Sequence, residues 1–456
     1  MAEIDRGRVR ALLERERQTY VSTHPASARA YGEARHLFGN VPMTWMNKWS
    51  GGFPLQLERA FGNRVIDIDG MEYVDFALGD TGAMAGHSPG PTVEAVRERI
   101  EGVGGITTML PTADGERVAA ILAERFGLPR WSFTLSATDA NRWVLRLARL
   151  VTGRSKVLVF SHSYHGTVDE AFAVLGPDGT TVSRPGNVGP PVPLELTTRV
   201  AAWNDLASVE AALAHGDVAA VLTEPALTNI GIVLPAAGFL DGLRALATRY
   251  GALLVLDETH TLSAGPGGVT AALGLSPDVL VVGKSLGGGI ACGVYGLSAE
   301  VARRVEEHTR TGAADIVDVG GVGGTLAGNA LSLAAMRATL ERVLTPSAFG
   351  HMTVLGGRFA FGVQQVLDYY EVGWSVVQLG ARAEYRFTSP TPRTGDESAA
   401  AADEELDELM HLYTCNRGIL MTPFHNMALM CPQTTASDVD LHTEVFDEAI
   451  SDLTDS

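Results

Sequence analysis

The chain has 456 residues, of which 46% are hydrophobic and 19% charged, as in an ordinary globular enzyme rather than a disordered protein. This length exceeds what one hydrophobic core usually organises, so we expect two or three domains. The formal net charge of −18 argues against a nucleic-acid-binding surface, because neutralising phosphates requires clustered lysines and arginines.

Three further features bear on the compartment. The N-terminal stretch EIDRGRVRALLERERQTY predicts a charged helix rather than a signal peptide. No run of sequence approaches the roughly 20 apolar residues of a membrane span. The three cysteines are widely spaced and form no CxxC pair, so neither a disulfide framework nor a metal site is expected. We therefore expect a cytoplasmic protein with no membrane partner.

The first part of the chain predicts a helix followed by a hairpin. The helix covers residues 5–20, with its apolar side chains along one side. The hairpin covers residues 55–77, where alternating apolar residues flank the turn signals GN at 62–63 and DG at 69–70. We assign residues 1–74 to the N-terminal segment of a small domain.

Short apolar strands alternate with helices from about residue 75 to 330. The predicted strands are WSFTLS, KVLVFS, VAAVLTEP, ALLVLDE and DVLVVGK, with helices such as DANRWVLRLARLVTG and AGFLDGLRALATRYG between them. Strands that are apolar throughout, joined by helical crossovers, indicate a parallel sheet buried on both faces. We therefore predict a large α/β domain over residues 75–330, with ligand sites beyond the carboxyl ends of its strands.

After residue 330 the sequence predicts a smaller lobe. A long helix is expected at 329–344, followed by further strands and helices. Residues 388–405 predict a loop that runs into an acidic helix start, where negative charge suits the helix dipole. Residues 331–456 are assigned to the small α+β domain, which is therefore built from both termini.

Asp257 and Lys284 are the strongest candidates for chemistry. Asp257 ends the predicted strand ALLVLD and Lys284 follows VLVVG, so both are expected at the carboxyl edge of the sheet. A buried amine suits condensation with the aldehyde of pyridoxal 5′-phosphate, because burial favours its neutral, nucleophilic form. A buried carboxylate keeps the cofactor's pyridinium nitrogen protonated, so that the ring accepts electrons. The pair predicts a pyridoxal-phosphate enzyme with Lys284 and Asp257 as catalytic residues.

Two other interpretations of this pair compete. Lys284 can be an ordinary surface lysine. LLVLDE and GKS also look like a Walker B strand and the end of a P-loop. A P-loop, however, needs glycine five residues before Gly283, where this chain has Asp278, and its lysine precedes the Walker B strand. Nucleotide binding is therefore disfavoured.

Two more motifs fall at strand ends. In SATDANRW, the backbone N–H groups of Ala137 and Thr138 and the Thr138 hydroxyl would face an anion at the start of a helix. In SYHG, the ring of Tyr164 can stack on a flat cofactor, and Gly166 lets the backbone pass close. Taken singly, each motif has a plainer interpretation, namely a helix N-cap and a partly buried tyrosine.

Together these motifs resemble a known family. SATDANRWVLRLAR resembles the phosphate loop of class III, fold type I aminotransferases, and SYHG, Glu224–Pro225, LLVLDE, GKSLGGG and GGTLAGN follow in that family's order. The match extends from about Leu37 to the C-terminus. Within the family, the chain resembles the glutamate-1-semialdehyde aminomutase-like branch and bacterial β-amino-acid transaminases. The resemblance implies the fold of type I pyridoxal-phosphate transferases and a homodimer with active sites at the subunit interface.

The resemblance also implies roles for single residues. Lys284 would carry the cofactor and shuttle a proton, and Asp257 would pair with the ring nitrogen. The further cofactor contacts expected from motifs and resemblance together are Ala137, Thr138, Tyr164, Gly166, Glu224, Thr259, His260 and Thr325. Thr325, within GGTLAGN, would reach the phosphate bound to the neighbouring subunit. Two positions depart from the family pattern, since Thr259 stands where Val or Ile is usual and His260 where Gln is common.

The substrate-binding candidates are Trp45, Met46, Arg382 and His425. The semialdehyde aminomutases carry an arginine in a GGVNSPVR-like segment, whereas the comparable stretch GNVPMTWMNKW has Met46 near that place and no arginine. This difference disfavours glutamate semialdehyde as the substrate. Arg382 is expected to bind an acceptor carboxylate, with Arg386 and Arg417 as alternatives.

The expected activity is transfer of an amino group from a β-amino acid or a bulky hydrophobic amine to a 2-oxo acid such as pyruvate. An aminomutase, racemase or decarboxylase on the same scaffold is the alternative, because fold alone does not choose between these reactions. A paralogue that binds the cofactor only for structural ends is disfavoured by the intact Lys284–Asp257 pair. The expected partners are small-molecule substrates and a second copy of the chain.

Overall fold

The computed structural model describes residues 4–454. The helices are α1 (Arg6–Thr23), α2 (Pro25–Glu33), α3 (Gly90–Arg97), α4 (Ala113–Phe126), α5 (Ala137–Thr152), α6 (Leu206–Leu213), α7 (Phe239–Tyr250), α8 (Gly268–Ala272), α9 (Ala299–Arg310), α10 (Ala330–Arg342), α11 (Pro346–Tyr369), α12 (Gly395–Ala400), α13 (Glu404–Cys415) and α14 (Ala436–Thr454). The strands are β1 (Leu57–Phe61), β2 (Arg64–Asp67), β3 (Glu72–Asp75), β4 (Arg130–Thr134), β5 (Lys156–Phe160), β6 (Ala173–Leu175), β7 (Thr181–Ser183), β8 (Thr198–Ala201), β9 (Val218–Thr223), β10 (Leu253–Asp257), β11 (Val279–Val282), β12 (Gly293–Leu297), β13 (Ser375–Leu379), β14 (Arg382–Arg386), β15 (Ile419–Leu420) and β16 (Met427–Leu429). Across residues 4–454, we find no helix whose length and hydropathy would let it cross a bilayer.

The chain divides into two compact units. The large unit contains Gly90–Pro346 and Pro392–Ala399, and the small unit contains Met1–Pro89, Ser347–Thr391 and Ala400–Ser456. The small unit therefore draws on both ends of the sequence.

A seven-stranded sheet organises the large unit, in the order β4-β12-β11-β10-β9-β5-β8. Neighbouring strands are parallel, except that β12 runs antiparallel to both β11 and β4. The parallel α/β sheet predicted from the apolar runs is confirmed. Strands β8 and β12 are not among the predicted strands. β8 has only four residues, and β12 contains two glycines, which are rare in strands.

Helices cover both faces of this sheet, and alternate residues of each strand supply the two cores. Val255 of β10 packs with Val281 and with Val144 of α5 on one face. Leu254 and Leu256 pack with α6 and α7 on the other face. Because both faces are buried, a central strand has no polar side, which explains the continuous runs of valine and leucine in the sequence.

Helix α5 shows how the sequence positions the site. Ser136 is its N-cap and accepts a hydrogen bond from the Asp139 backbone N–H (3.2 Å). Gly153 ends the helix in a left-handed conformation. The buried side chains recur at helical spacing, for example at Ala140, Val144 and Leu147, so one face of α5 lies against the sheet. The helix N-terminus is therefore fixed at the end of β4.

The small unit contains two sheets. Strands β1, β2 and β3 form an antiparallel meander whose turns carry glycines with positive φ, +57° at Gly62 and +85° at Gly70, which confirms both turn signals. The short strand β15 adds to β3 in parallel. The second sheet has the order β13-β14-β16, and all five side chains of β14 are buried.

The units divide later in the chain than residues 74 and 330, where the sequence suggested boundaries. Helix α10 belongs to the large unit, where the hydroxyl of Thr339 lies 2.7 Å from that of Thr92. Residues 392–399 return to the large unit as well, and the Asn204 side chain donates to the Arg393 carbonyl (2.8 Å). A segment of this length is too short to show a periodic pattern, so its return to the large unit was not predictable from the sequence.

Candidate active site

The predicted site residues of the large unit follow the carboxyl ends of neighbouring parallel strands. Asp257 is the last residue of β10 and Lys284 follows β11, the adjacent strand, in which Val281 pairs with Asp257. Glu224 follows β9 directly, and Tyr164 lies beyond β5. This shared edge is where open parallel sheets bind ligands.

The carboxylate of Asp257 is buried and accepts four hydrogen bonds. Asn141 Nδ2 and His165 Nδ1 are hydrogen-bonded to Oδ2 of Asp257, at 2.8 and 3.0 Å. The backbone N–H of Thr259 (3.1 Å) and its hydroxyl (2.6 Å) donate to Oδ1. Burial alone would raise the pKa of this carboxyl group, but the bonds from His165, Thr259 and Asn141 outweigh burial and lower the pKa of Asp257. Asp257 is therefore held ionised in one orientation.

Lys284 begins a short 3-10 turn and has a backbone φ of +53°, in the left-handed region that costs energy for a residue with a side chain. Its half-buried amine, Nζ, is in contact with Nε2 of His260. On its other side, Nδ1 of His260 lies 2.7 Å from the hydroxyl of Thr228.

The same contacts continue to Glu224. The Thr228 hydroxyl is in hydrogen-bond contact with Oε2 of Glu224, and the Tyr164 backbone N–H donates to Oε1 (3.2 Å). Burial raises the pKa of Glu224, although His165 and Thr228 oppose that rise. Two polar side chains, Thr228 and His260, therefore connect Glu224 with the amine of Lys284.

The start of α5 and the SYHG motif lie against each other. The Thr138 hydroxyl accepts a hydrogen bond from the backbone N–H of Thr167 (3.1 Å). A Cβ at Gly166, where φ is +75°, would stand 2.0 Å from that hydroxyl oxygen, so only glycine fits. A Cβ at Gly283 would stand 2.9 Å from the Cβ of Ala137. Glycines thus let two loops approach the N–H groups at the positive end of a sixteen-residue helix.

These groups match the three functional parts of pyridoxal phosphate. An ionised, buried carboxylate suits a pyridinium N–H, a half-buried amine suits an aldehyde, and a helix N-terminus with a hydroxyl suits a phosphate. Within the described residues, Nε2 of His165 and Oδ1 of Asn141 are buried without a hydrogen-bond partner, which leaves polar capacity beside Asp257. The residues present fit the cofactor that the sequence predicts.

The substrate candidates all belong to the small unit, where contacts connect them. Trp45 and Met46 are exposed, at 43% and 45%, so they do not pack into a core. The rings of Trp45 and His425 both lie against Phe424, at centroid distances of 6.3 and 5.1 Å. His425 Nδ1 lies 3.4 Å from Oε1 of Glu384, a residue that shares one face of β14 with Arg382.

The arginines of the small unit differ in their contacts. Arg382 is 1% exposed, and its guanidinium contacts the Thr81 hydroxyl. Arg417 instead bonds Glu16 (3.2 Å) and stacks over Tyr413 at 3.4 Å, which is a structural arrangement. Arg382 therefore remains the better candidate for binding a carboxylate.

Thr325 lies in an exposed position of the large unit, and no hydrogen bond in the described structure joins it to the other candidates. Its contact with a neighbouring subunit's cofactor stays a prediction.

Sequence reasoning missed Asn141, His165 and Thr228. His165 stands next to Tyr164 in SYHG, and Asn141 lies one helical turn after Ala137, so strand-end position and helical period were available signals. Thr228 lies in an irregular segment after β9 and is nevertheless buried. Its contact with His260 depends on the fold, and no local pattern indicates it.

Comparison with known proteins agrees with this site. The chain belongs to the class-III aminotransferase family, whose sequence model matches residues 45–450. The fold is that of the fold type I pyridoxal-phosphate transferases, as the resemblance implied.

Individual relatives add detail. A crystal structure described as a glutamate-1-semialdehyde aminomutase from Pseudomonas aeruginosa PAO1, solved in complex with PMP, is 48% identical, with a TM-score of 0.95 and coverage of 99% of both chains. The glutamate-1-semialdehyde 2,1-aminomutase of Bordetella avium is 32% identical over 82% of this chain and 86% of its own length. The β-phenylalanine aminotransferase of Variovorax paradoxus is 29% identical, with a TM-score of 0.84 and coverage of 96% and 97%.

The hydrogen bonds to Asp257 predict a pH-dependent contribution to stability. Asp257→Asn should lower the unfolding free energy by about 2–3 kcal/mol at pH 7, because donors would face an amide that accepts less well. The folded-state pKa of Asp257 lies below its unfolded value of about 4. The advantage of the wild type is therefore fully present above about pH 4 and lost as the pH falls further toward the folded-state pKa.

Denaturant or thermal unfolding of both proteins across this pH range measures the difference. Asp241→Asn, at an exposed position of the same unit, is the control and should differ little from the wild type at any pH. A deficit in Asp257→Asn that stays constant below pH 4 would contradict the assignment.

Proposed function

We propose that this protein is a pyridoxal-phosphate enzyme that moves amino groups, with Lys284 and Asp257 as its catalytic residues. The observation that carries the proposal is the placement of a buried, hydrogen-bonded carboxylate and a half-buried amine at the ends of adjacent strands. Membership of the class-III aminotransferase family and the PMP complex of a 48% identical protein support the cofactor assignment.

When bound, the cofactor supplies an aromatic ring that withdraws electrons from the bonds around the substrate's amino-bearing carbon. Asp257, kept ionised by its four donors, holds the proton on the ring nitrogen. Lys284 would hold the cofactor through its amine and would move the proton at the substrate's amino-bearing carbon.

The other residues position the cofactor. The N–H groups at Ala137 and Thr138 hold the phosphate at the start of α5, with Gly166 keeping the neighbouring loop close. Tyr164 follows β5 at the same strand edge and supplies a ring for stacking. His260 contacts the amine of Lys284, and Glu224 is linked to His260 through Thr228.

For the reaction type, we infer an aminomutase rather than the transamination that the sequence analysis favoured. The aminomutases at 48% and 32% identity support it, and both comparisons cover most of each chain. In such a reaction the amino group returns to another carbon of the same substrate, so no second substrate is needed.

Transamination from a β-amino acid to a 2-oxo acid is the second candidate. It is favoured by Met46, which stands where the semialdehyde aminomutases carry an arginine, and by the exposed apolar side chain of Trp45 beside it. The 29% identical β-phenylalanine aminotransferase supports the same candidate.

We also propose that the enzyme acts as a homodimer. The large unit exposes apolar side chains in two segments, including Met109 (81%) and Leu110 (71%) in one and Val317 (86%) in the other. Apolar exposure on this scale is typical of a surface that another protein covers. The segment with Val317 leads to Thr325, which supports a cofactor contact across the subunit interface.

The Schiff-base role of Lys284 can be tested directly, because the chain has only three lysines, at 48, 156 and 284. Lys284→Ala should lose the visible absorbance of lysine-bound cofactor and reduce turnover on the order of 10²–10⁴-fold. Borohydride treatment followed by peptide mass spectrometry should place the reduced cofactor on residue 284 of the wild type. Lys156→Ala is the matched control, since Lys156 pairs with Asp217 (3.5 Å). Cofactor fixed on Lys156 or Lys48 would overturn the assignment.

One amine substrate without any 2-oxo acid separates the two reaction types. An aminomutase should convert many equivalents of glutamate 1-semialdehyde, because the amino group stays with the substrate. A transaminase should stop after one equivalent of β-phenylalanine, leave its cofactor in the pyridoxamine form and resume when pyruvate is added. Many turnovers of the semialdehyde support the first candidate, and the pyruvate-dependent pattern supports the second.

Arg382 is proposed to bind the carboxylate of the substrate. Arg382→Ala should raise KM about 10–100-fold for substrates with a carboxylate, because a charge-assisted hydrogen bond is lost. Borohydride-fixable cofactor on Lys284 should be retained. Arg417→Ala, which removes the arginine bonded to Glu16, serves as the control and should leave KM within about twofold. An unchanged KM in Arg382→Ala would remove Arg382 from the binding site.

A further inference from the structure

The contacts between Glu224 and Lys284 restrict where hydrogens lie. The Thr228 hydroxyl has a single hydrogen and lies between Oε2 of Glu224 and Nδ1 of His260. If that hydrogen points to an ionised Glu224, the hydroxyl must accept from His260 Nδ1–H, and the lone pair of Nε2 faces Lys284. If Glu224 carries a proton, each hydrogen bond reverses its direction. Glu224 then donates to the Thr228 hydroxyl, Thr228 donates to Nδ1 of His260, and the Nε2–H of His260 faces Lys284. The two arrangements are both fully hydrogen-bonded and differ by one proton.

We propose that His260, Thr228 and Glu224 form a proton relay that takes a proton from Lys284 Nζ and holds it on Glu224. The proposal rests on the proposed function, because it concerns the lysine that carries the cofactor. Thr228 and Glu224 act through His260 and are positioning residues, while His260 touches the amine itself.

The transfer balances without any co-reactant. An N–H bond of the Lys284 ammonium breaks and a bond forms at His260 Nε2. The Nδ1 hydrogen of His260 passes to the Thr228 oxygen, whose own hydrogen passes to Glu224 Oε2. The net change is an ammonium and a carboxylate converted to a neutral amine and a neutral carboxylic acid.

The surroundings of Glu224 favour this end state. The side chain is 2% exposed, and a neutral acid is cheaper to bury than an ion. Burial raises the pKa of Glu224, and the nearby Asp257 carboxylate adds to that rise, while His165 opposes it. The positive charge of Arg184 also acts on Glu224 and opposes the rise. The Tyr164 N–H holds Oε1, so Oε2 stays directed at Thr228.

The residue types also support a relay. An imidazole accepts a proton on one nitrogen while releasing another from the opposite nitrogen, which an amide side chain cannot do. His260 therefore gives Lys284 a connection to Glu224 that a glutamine at this position would not provide. A lysine that has just been released from the cofactor would become neutral without waiting for bulk solvent.

The enzyme loaded with pyridoxamine phosphate allows a direct test, because Lys284 Nζ is then not bonded to the cofactor. The rate of acetylation of Lys284 by acetic anhydride, followed by mass spectrometry across a pH series, reports the pH at which the amine becomes neutral. Lys48 and Lys156 are internal references. Thr228→Val should move the inflection of Lys284 upward by about one pH unit or more, a tenfold change in proton affinity. Without the hydroxyl, the arrangement with a neutral Lys284 and a protonated Glu224 loses the hydrogen bonds that stabilise it, so the ammonium form of Lys284 is favoured.

Matched variants separate a relay from a packing effect. Thr228→Ser keeps the hydroxyl and should restore the wild-type inflection, whereas His260→Gln should shift it upward as Thr228→Val does. If Thr228→Val fails to fold, the inflection of Lys284 measured in His260→Gln tests the relay instead. Thr92→Val removes another buried hydroxyl of the large unit, 2.7 Å from Thr339, and should change nothing.

An unchanged or lowered inflection in Thr228→Val and His260→Gln would overturn the relay, as would an equal shift in Thr228→Ser. These results differ from a failure of the proposed function, in which borohydride would fix no cofactor on Lys284 of the wild type.

Discussion

Burial of an ionised carboxylate at the tip of a central strand is the constraint on which the site depends. A charge at that position is costly unless hydrogen bonds compensate it, and Asp257 receives them from three separate elements. Asn141 comes from helix α5, His165 from the loop after β5, and Thr259 from the turn that follows β10 itself. The carboxylate therefore connects the elements that carry the proposed contacts to the cofactor's phosphate and ring.

The amine side of the site is organised differently. The contact of Lys284 with His260 leads through Thr228 to Glu224, a carboxyl group whose pKa is raised by burial. The lowered pKa of Asp257 keeps that carboxyl group ionised, whereas the raised pKa of Glu224 favours uptake of a proton. Two carboxyl groups on neighbouring strands acquire opposite tendencies because one has four donors and the other has two.

Much of this arrangement was predictable from the sequence, for physical reasons. A strand buried on both faces must be apolar, so the first polar residue after each run marks the sheet edge, and that rule located Asp257 and Lys284. Glu224, which follows β9, was expected only from the family resemblance. The antiparallel β12 was missed, because its two glycines lack the side chains that the pattern relies on. Glycine is required there, since a Cβ at Gly293 would stand 2.5 Å from the Thr134 hydroxyl.

Residues that act through tertiary contacts were not predictable in this way. Thr228 is buried by residues distant in sequence, and the return of residues 392–399 to the large unit depends on contacts such as that between Asn204 and Arg393. The activity favoured from the sequence also changed. One local difference, Met46 in place of an arginine, suggested transamination, whereas identity over most of each chain supports the proposal of an aminomutase.

The left-handed backbone at Lys284 has a consequence for how the enzyme can evolve. A side-chain-bearing residue at a φ of +53° costs on the order of 1 kcal/mol, which glycine would not incur. Selection for thermal robustness alone would therefore favour losing the lysine, and only selection for turnover keeps it. In a descendant that no longer needs the activity, replacing Lys284 by glycine would therefore remove the proposed catalytic amine and increase stability in one substitution.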